Sequence, residues 1–157
     1  MEKIFLGLGS NVGDRKSYIK KAIFFLKQKI KNIKSAPIYK SRAYGFKNQE
    51  YFLNTAVSGY TDLPPEELLK FIKDVEKKVG RVYRFHWGPR EIDIDILFYG
   101  DLIYKSDNLV IPHPYIHERD FVLKPLCDLE CNFKHPELNK TIYQLLKEIK
   151  ENFIFEK

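Results

Sequence analysis

Cysteine is almost absent from this 157-residue chain: there are two, Cys127 and Cys131, in "CDLEC". A CxxxC pair is neither a zinc-ligand set nor a thioredoxin-type CxxC, so both read as free thiols in a reducing cytosol. No apolar run is long enough to span a bilayer. "MEKIFLGLGSN" shows neither the basic segment nor the long apolar core of a secretory signal. Repeats, low-complexity tracts and linkers are also missing, so the expectation is one domain over 1–157, placed in the cytoplasm. No G-x-x-x-x-G-K-[ST] occurs, so a nucleotide would have to be held without a P-loop. "GLGSNVG" spaces its glycines G-x-G-x-x-x-G, and no acid ends a following strand about 20 residues on, which excludes a dinucleotide fingerprint.

What is present is apolar and basic. Hydrophobic residues make up 44% and aromatics 15%, which argues for a packed globule rather than a disordered chain. Net charge is +6, compatible with nucleic acid, a membrane surface or a small polyanion. Much of the excess is lysine in "KSYIKKAIFFLKQKIKNIK", a solvated helix face. The arginines Arg81, Arg84, Arg90 and Arg119 differ, because they stand beside apolar and acidic residues.

"KIFLGLGS" reads as a strand, and Asp14 as the cap of a helix with Ile19, Ala22, Ile23, Leu26 and Ile30 on one face. "SAPIYKSRAYG" reads as a strand running into a loop, and "EYFLNTAVSGY" as a strand. "PPEELLKFIKDVEKKVG" is a helix opened by prolines and acids, lined by Leu68, Leu69, Ile72, Val75 and Val79, and closed by Gly80. A loop, "RVYRFHWGPR", precedes an acidic strand that reverses near Gly100-Asp101; further helices are expected near 118–127 and 140–151. The order β-α-β-β-α-β predicts a ferredoxin-like α+β sandwich with C-terminal additions: a mainly antiparallel sheet, helices on one face, and the other face left for a site.

The acidic strand is "REIDIDILFYG". Alternation puts Glu91, Asp93, Asp95 and Leu97 on one face and Ile92, Ile94, Ile96 and Phe98 on the other, against the helices. Asp93 and Asp95 have Cα atoms about 6.6–6.8 Å apart, a spacing from which two carboxylates converge on hard cations. The same pattern also fits a solvated sheet face. Glu91 shares the face but lies at the strand's start, where solvent can take it.

The flanks favour the site. Arg90, after Gly88 and Pro89, can clamp a phosphate bidentately. Trp87 suits stacking on a flat ring or anchoring the loop. "IPHP" and "ER" add His113 and Arg119. Phe52 and Asn54 share a strand face, an aromatic beside an amide, which suits a planar heterocycle as well as a cross-strand packing pair.

Together "HWGPREIDIDIL", "LGLGSNVGDR", "FLN" and "IPHP…R-x-F-V-L-x-P-L" resemble the 6-hydroxymethyl-7,8-dihydropterin pyrophosphokinases of folate biosynthesis over roughly residues 3–130. The resemblance implies transfer of pyrophosphate from ATP to the pterin hydroxymethyl oxygen, with release of AMP. It implies two Mg²⁺ ions on Asp93 and Asp95. Arg81, Arg90, His113 and Arg119 would contact phosphates or their surroundings, and Trp87 would belong to a mobile loop that closes over the site. Phe52 and Phe121 would sandwich the pterin, with Asn54 and the backbone near Ser41 and Tyr44 reading its edges. Glu76, Ile96 and Leu109 would lie around the adenosine. Arg81, Arg90, Asp93 and Asp95 would form the catalytic group. The loop "RVYRFHW" is one residue shorter than in better-known members, so the resemblance assigns Arg84 no role. The partners implied are the two small substrates, with no nucleic acid and no membrane. A monomer is expected, with association with other folate-pathway enzymes left open. No residue stands out as a general base, and a metal, or Asp95 through water, is expected to assist. The rival readings are a ferredoxin-like nucleic-acid-binding module and a metal-dependent nuclease or nucleotidyltransferase. The first lacks the RNP aromatic pattern and would set carboxylates against phosphate.

Overall fold

The computed structural model describes residues 1–43, 49–85 and 88–156, with only the backbone of Glu156. In chain order it contains β1 (Glu2–Ser10), α1 (Arg15–Leu26), β2 (Lys31–Ser35), β3 (Tyr39–Ser41), β4 (Phe52–Thr61), α2 (Pro65–Val79) and β5 (Asp93–Tyr99). There follow a short hairpin, β6 (Tyr104–Lys105) and β7 (Val110–Ile111), a 3-10 turn (Ile116–Glu118), α3 (Asp120–Glu130), α4 (Ile142–Lys147) and β8 (Ile154–Glu156).

Local chemistry explains most of these limits. Asp14 Oδ1 accepts from Ser17 N at 3.3 Å and caps α1. Pro65 opens α2, where its missing N–H costs nothing, and Gly80 closes it at φ 118°, a left-handed conformation that favours glycine. The single strand expected from residue 35 is instead two, β2 and β3, separated around Pro37, which has no N–H to give a ladder. The last helix is shorter than expected and starts with a capping box between Thr141 and Gln144.

All strand pairings are antiparallel, and the main sheet runs β5-β1-β4-β3-β8, with β2 also on β4. The helices α1 and α2 cover one face over a core that includes Ile4, Leu6, Leu8, Ile72, Val75, Ile94 and Ile96. The expectation that the other face lies open is corrected. The helices α3 and α4 cover part of it, over a second core of Phe5, Ala56, Leu97, Phe98, Ile116, Leu123, Leu126, Ile142 and Leu145.

Phe98 is therefore not on the isoleucine side. The register runs Phe5↔Phe98 and then Leu6↔Ile96, so Leu97 is an extra residue, a β-bulge. It puts Leu97 and Phe98 into the same core. Cys127 and Cys131 lie side by side at the end of α3. Among the described residues no helix is long and apolar enough to cross a membrane.

Candidate active site

The cleft begins where the second core stops. On β1 the face carries Phe5 in that core, then Gly7 and Gly9 in the cleft. On β4 it carries Ala56, then Asn54 and Phe52; on β5 it carries Leu97, then Asp95 and Asp93. Three strands thus leave the apolar core along one line, opening a cleft of about 230 Å³. Arg90, His113, Tyr115, Arg119 and Phe121 close its walls.

Gly9 pairs with Asp93 on one side and Asn54 on the other, and Gly7 pairs with Asp95 and Ala56. The floor between the carboxylates and the amide is therefore bare backbone. A Cβ on Gly9 would meet Asn54 Oδ1 at 2.8 Å and Phe52 Cδ1 at 3.4 Å. Sequence reasoning missed this role, because it tested these glycines only as a phosphate loop. Their signal is two glycines at i, i+2 on a buried strand, which mark close approach to one face.

Arg90 Nη1 lies 3.0 Å from Asp93 Oδ2, and Arg81 Nη1 lies 3.5 Å from Asp93 Oδ1. Asp95 faces His113 Nε2 at 4.0 Å and keeps 35% of its side chain exposed. Desolvation at the cleft floor, then the charge of Asp93, pushes its carboxyl up to about 7. Burial and the nearby Arg119 cation push His113 down to about 4, so at neutral pH it is uncharged. Tyr115 N–H donates to its Nδ1 at 3.2 Å, which assigns the ring proton to Nε2. The backbone N–H of His113 donates to Leu97 O at 3.1 Å, so the bulged residue anchors the segment that carries this histidine.

Glu76 stands behind the pair. Its Oε2 accepts from Ile94 N, between the two aspartates, at 2.7 Å, and its Oε1 from Arg81 Nη1 at 2.9 Å. Burial and then the charge of Asp93 raise its pKa. It positions the acidic strand and Arg81, and it is not on the cleft wall. Ile96 and Leu109, expected around an adenosine, are buried in the first core and do not line the cleft. Ser41, Phe52, Asn54 and Phe121 are brought together on the far wall, where Asn54 Nδ2 donates to Ser41 Oγ at 2.6 Å. Arg119 is buried, with its guanidinium 5.2 Å from the Tyr115 ring and 5.7 Å from that of Phe121. Tyr44 and Trp87 lie outside the described residues.

Glu91 departs from the expectation of a solvated acid. It is buried, receives Arg84 Nη1 at 3.1 Å and Nη2 at 2.7 Å on its two oxygens, and accepts from Val82 N at 3.1 Å. Arg84, followed by burial opposing it and the Val82 N–H, leaves Glu91 at about 2. Arg84 also donates to Pro89 O at 3.2 Å, so this pair ties together the two ends of the arginine loop. Asn11 does a similar job on the other flank. It is buried, accepts from Arg90 N at 2.7 Å, donates its own N–H to Arg90 O at 3.0 Å, and reaches Gln49 Oε1 at 2.7 Å.

Known proteins share this arrangement of sequence and fold. The family model described as 7,8-dihydro-6-hydroxymethylpterin-pyrophosphokinase matches residues 5–131. A 2-amino-4-hydroxy-6-hydroxymethyldihydropteridine pyrophosphokinase of Aquifex aeolicus is 51% identical over 94% of this chain and 92% of its own length. The folic acid synthesis protein FOL1 of Dictyostelium discoideum is 45% identical over 88% of this chain, which spans only 21% of that protein. Among solved structures, Plasmodium falciparum HPPK-DHPS matches the fold with a TM-score of 0.75 at 17% identity, over 94% of this chain and 44% of that one.

Proposed function

This chain belongs to the 7,8-dihydro-6-hydroxymethylpterin-pyrophosphokinase family and carries out its step of folate biosynthesis; on that premise we propose how its cleft does so. ATP binds along the carboxylate and arginine wall, and 6-hydroxymethyl-7,8-dihydropterin binds between Phe52 and Phe121. Asn54 and Ser41 read the pterin edges. The hydroxymethyl oxygen attacks the β-phosphorus, and AMP leaves. The observation that supports this most is the bare Gly9 floor, which sets the acid pair and the aromatic–amide wall at opposite sides of one cleft.

The donor set fits magnesium. Among the described residues no cluster of three or more His, Cys, Asp or Glu could hold a metal, which leaves two hard carboxylates. Mg²⁺ is held by one or two carboxylates, with waters and substrate phosphates completing its shell. Asp93 and Asp95 would hold two ions, which supply neutralisation of phosphate charge when bound. Arg81, Arg90 and Arg119 add fixed positive charge around the triphosphate. His113, neutral, offers Nε2–H as a donor without repelling the arginines. Asp93 is engaged by two arginines and His113 Nδ1 by Tyr115 N–H. That leaves Asp95, directly or through water, to receive the hydroxyl proton. Arg84–Glu91 holds the arginine loop by its ends, and the loop, with Trp87, would shield ATP from water.

The strand order supports a ferredoxin-like reading of the sandwich, as one domain over 1–157. The same reading is of a cytoplasmic monomer, and the composite names of several relatives suit association with neighbouring folate enzymes. The test is AMP release from Mg·ATP with and without 6-hydroxymethyl-7,8-dihydropterin. Release is expected only with the pterin; equal release without it would turn the reading toward a nucleotide hydrolase.

A further inference from the structure

Phe121 lines the cleft, with the Arg119 guanidinium of the cleft wall 5.7 Å from its ring and a second aromatic ring against it from outside the cleft. Its ring meets Phe153 edge-on, with centroids 5.6 Å apart and planes at 78°. Phe153 is buried, 32 residues further along the chain. The segment carrying it is pinned from both sides. Asp120, next to Phe121, accepts from Phe153 N at 2.9 Å and Ile154 N at 3.0 Å through one oxygen. Arg42 N donates to Phe153 O at 2.9 Å, and the Arg42 guanidinium lies 4.4 Å from the Phe153 ring centre. That guanidinium also donates to Glu151 at 3.1 Å and to Asn152 O at 2.8 Å. β8 then pairs with β3, setting Ile154 opposite Ser41. Ser41, Arg42 and Phe121 all line the cleft.

We infer that segment 151–156 is a positioning element for the pterin half of the cleft, holding Phe121 from behind through Phe153 and holding the Ser41–Arg42 edge through β8. The inference rests on the reading that Phe121 stacks on the pterin. No described residue of the segment lines the cleft, so its effect is transmitted through neighbours. The carboxylate wall is attached elsewhere, to Glu76, Arg81 and Asn11, so the segment bears first on the pterin side.

The test measures KM for both substrates, and titrates the pterin directly with Mg²⁺ and a non-hydrolysable ATP analogue present, in Phe153→Ala, Phe153→Leu, Arg42→Gln and Phe121→Ala. Losing an aromatic contact of this kind is expected to raise the pterin KM and dissociation constant about threefold to tenfold in Phe153→Ala, with KM for ATP within about twofold. Phe153→Leu is expected to recover most of the loss. Arg42→Gln, at a half-exposed site that cannot empty the core, moves pterin binding the same way by a smaller factor. An unchanged pterin constant in Phe153→Ala and Arg42→Gln, with a raised one in Phe121→Ala, overturns the inference and leaves the site reading standing. Equal rises for ATP and pterin also overturn it. If Phe121→Ala itself binds pterin normally, the site reading fails, and the inference fails with it.

Discussion

Asp95 is the residue on which binding and stability pull in opposite directions. Its folded pKa, about 7 against an ordinary 3.8, means that the folded metal-free protein holds a proton the unfolded chain has released. Stability of the metal-free form is therefore lost as pH climbs from about 4 to 7, and the loss is complete above 7. Asp95→Asn removes the cost. It is expected to melt about 2–4 °C above the parent at pH 8, taking ~1 kcal/mol after discounting for the open third of the side chain, and level with it at pH 4. Turnover in the same variant is expected to fall roughly 10²–10³-fold. Melting curves at the two pH values check the first claim, and AMP formation checks the second. Asp93 and Asp95 were legible because strand alternation alone puts them on one face. Glu91 was misjudged for the same reason: parity locates a side chain but not its partner. Its partner Arg84 comes from a loop whose closure no local pattern encodes.

At the scale of elements, β1 was legible as a strand but not as a floor. A glycine's meaning depends on its cross-strand neighbours, and those exist only after β4 and β5 pair on either side. Gly9→Ala is expected to fold, since β1 is paired along both edges, to β4 and to β5. The new methyl would displace Asn54 Oδ1, now 2.8 Å from where the Cβ would stand. Leaving an amide misplaced costs about 1–3 kcal/mol, so the pterin KM should rise roughly tenfold or more. Steady-state kinetics at saturating ATP would show it, and an unchanged KM would mean that Asn54 does not read the pterin. The Leu97 bulge was equally hidden. A bulge is a mismatch of length between two strands, and neither strand carries it alone. Helix limits, by contrast, were mostly legible, because Asp14, Pro65 and Gly80 act within a turn of their own positions.

Over the whole molecule, the sheet divides two cores that serve different ends. The α1–α2 core backs the sheet from behind. The α3–α4 core adjoins the cleft and carries Arg119 and Phe121 at its edge. Leu126→Ala and Ile72→Ala, one from each, should both destabilise by about 2–5 kcal/mol. Only the first is expected to raise the pterin KM as well, which paired kinetics and denaturant unfolding would separate. The sequence missed this division, because a 2-residue period tells two faces apart without saying how far along each face a third layer extends. That extent has a consequence for how such a pocket arises. The reaction chamber is not an addition to the fold but a portion of the sheet left unroofed. Its size is set by where α3 and the turn before it stop, so lengthening or shortening that roof would resize the chamber without altering one residue of its floor.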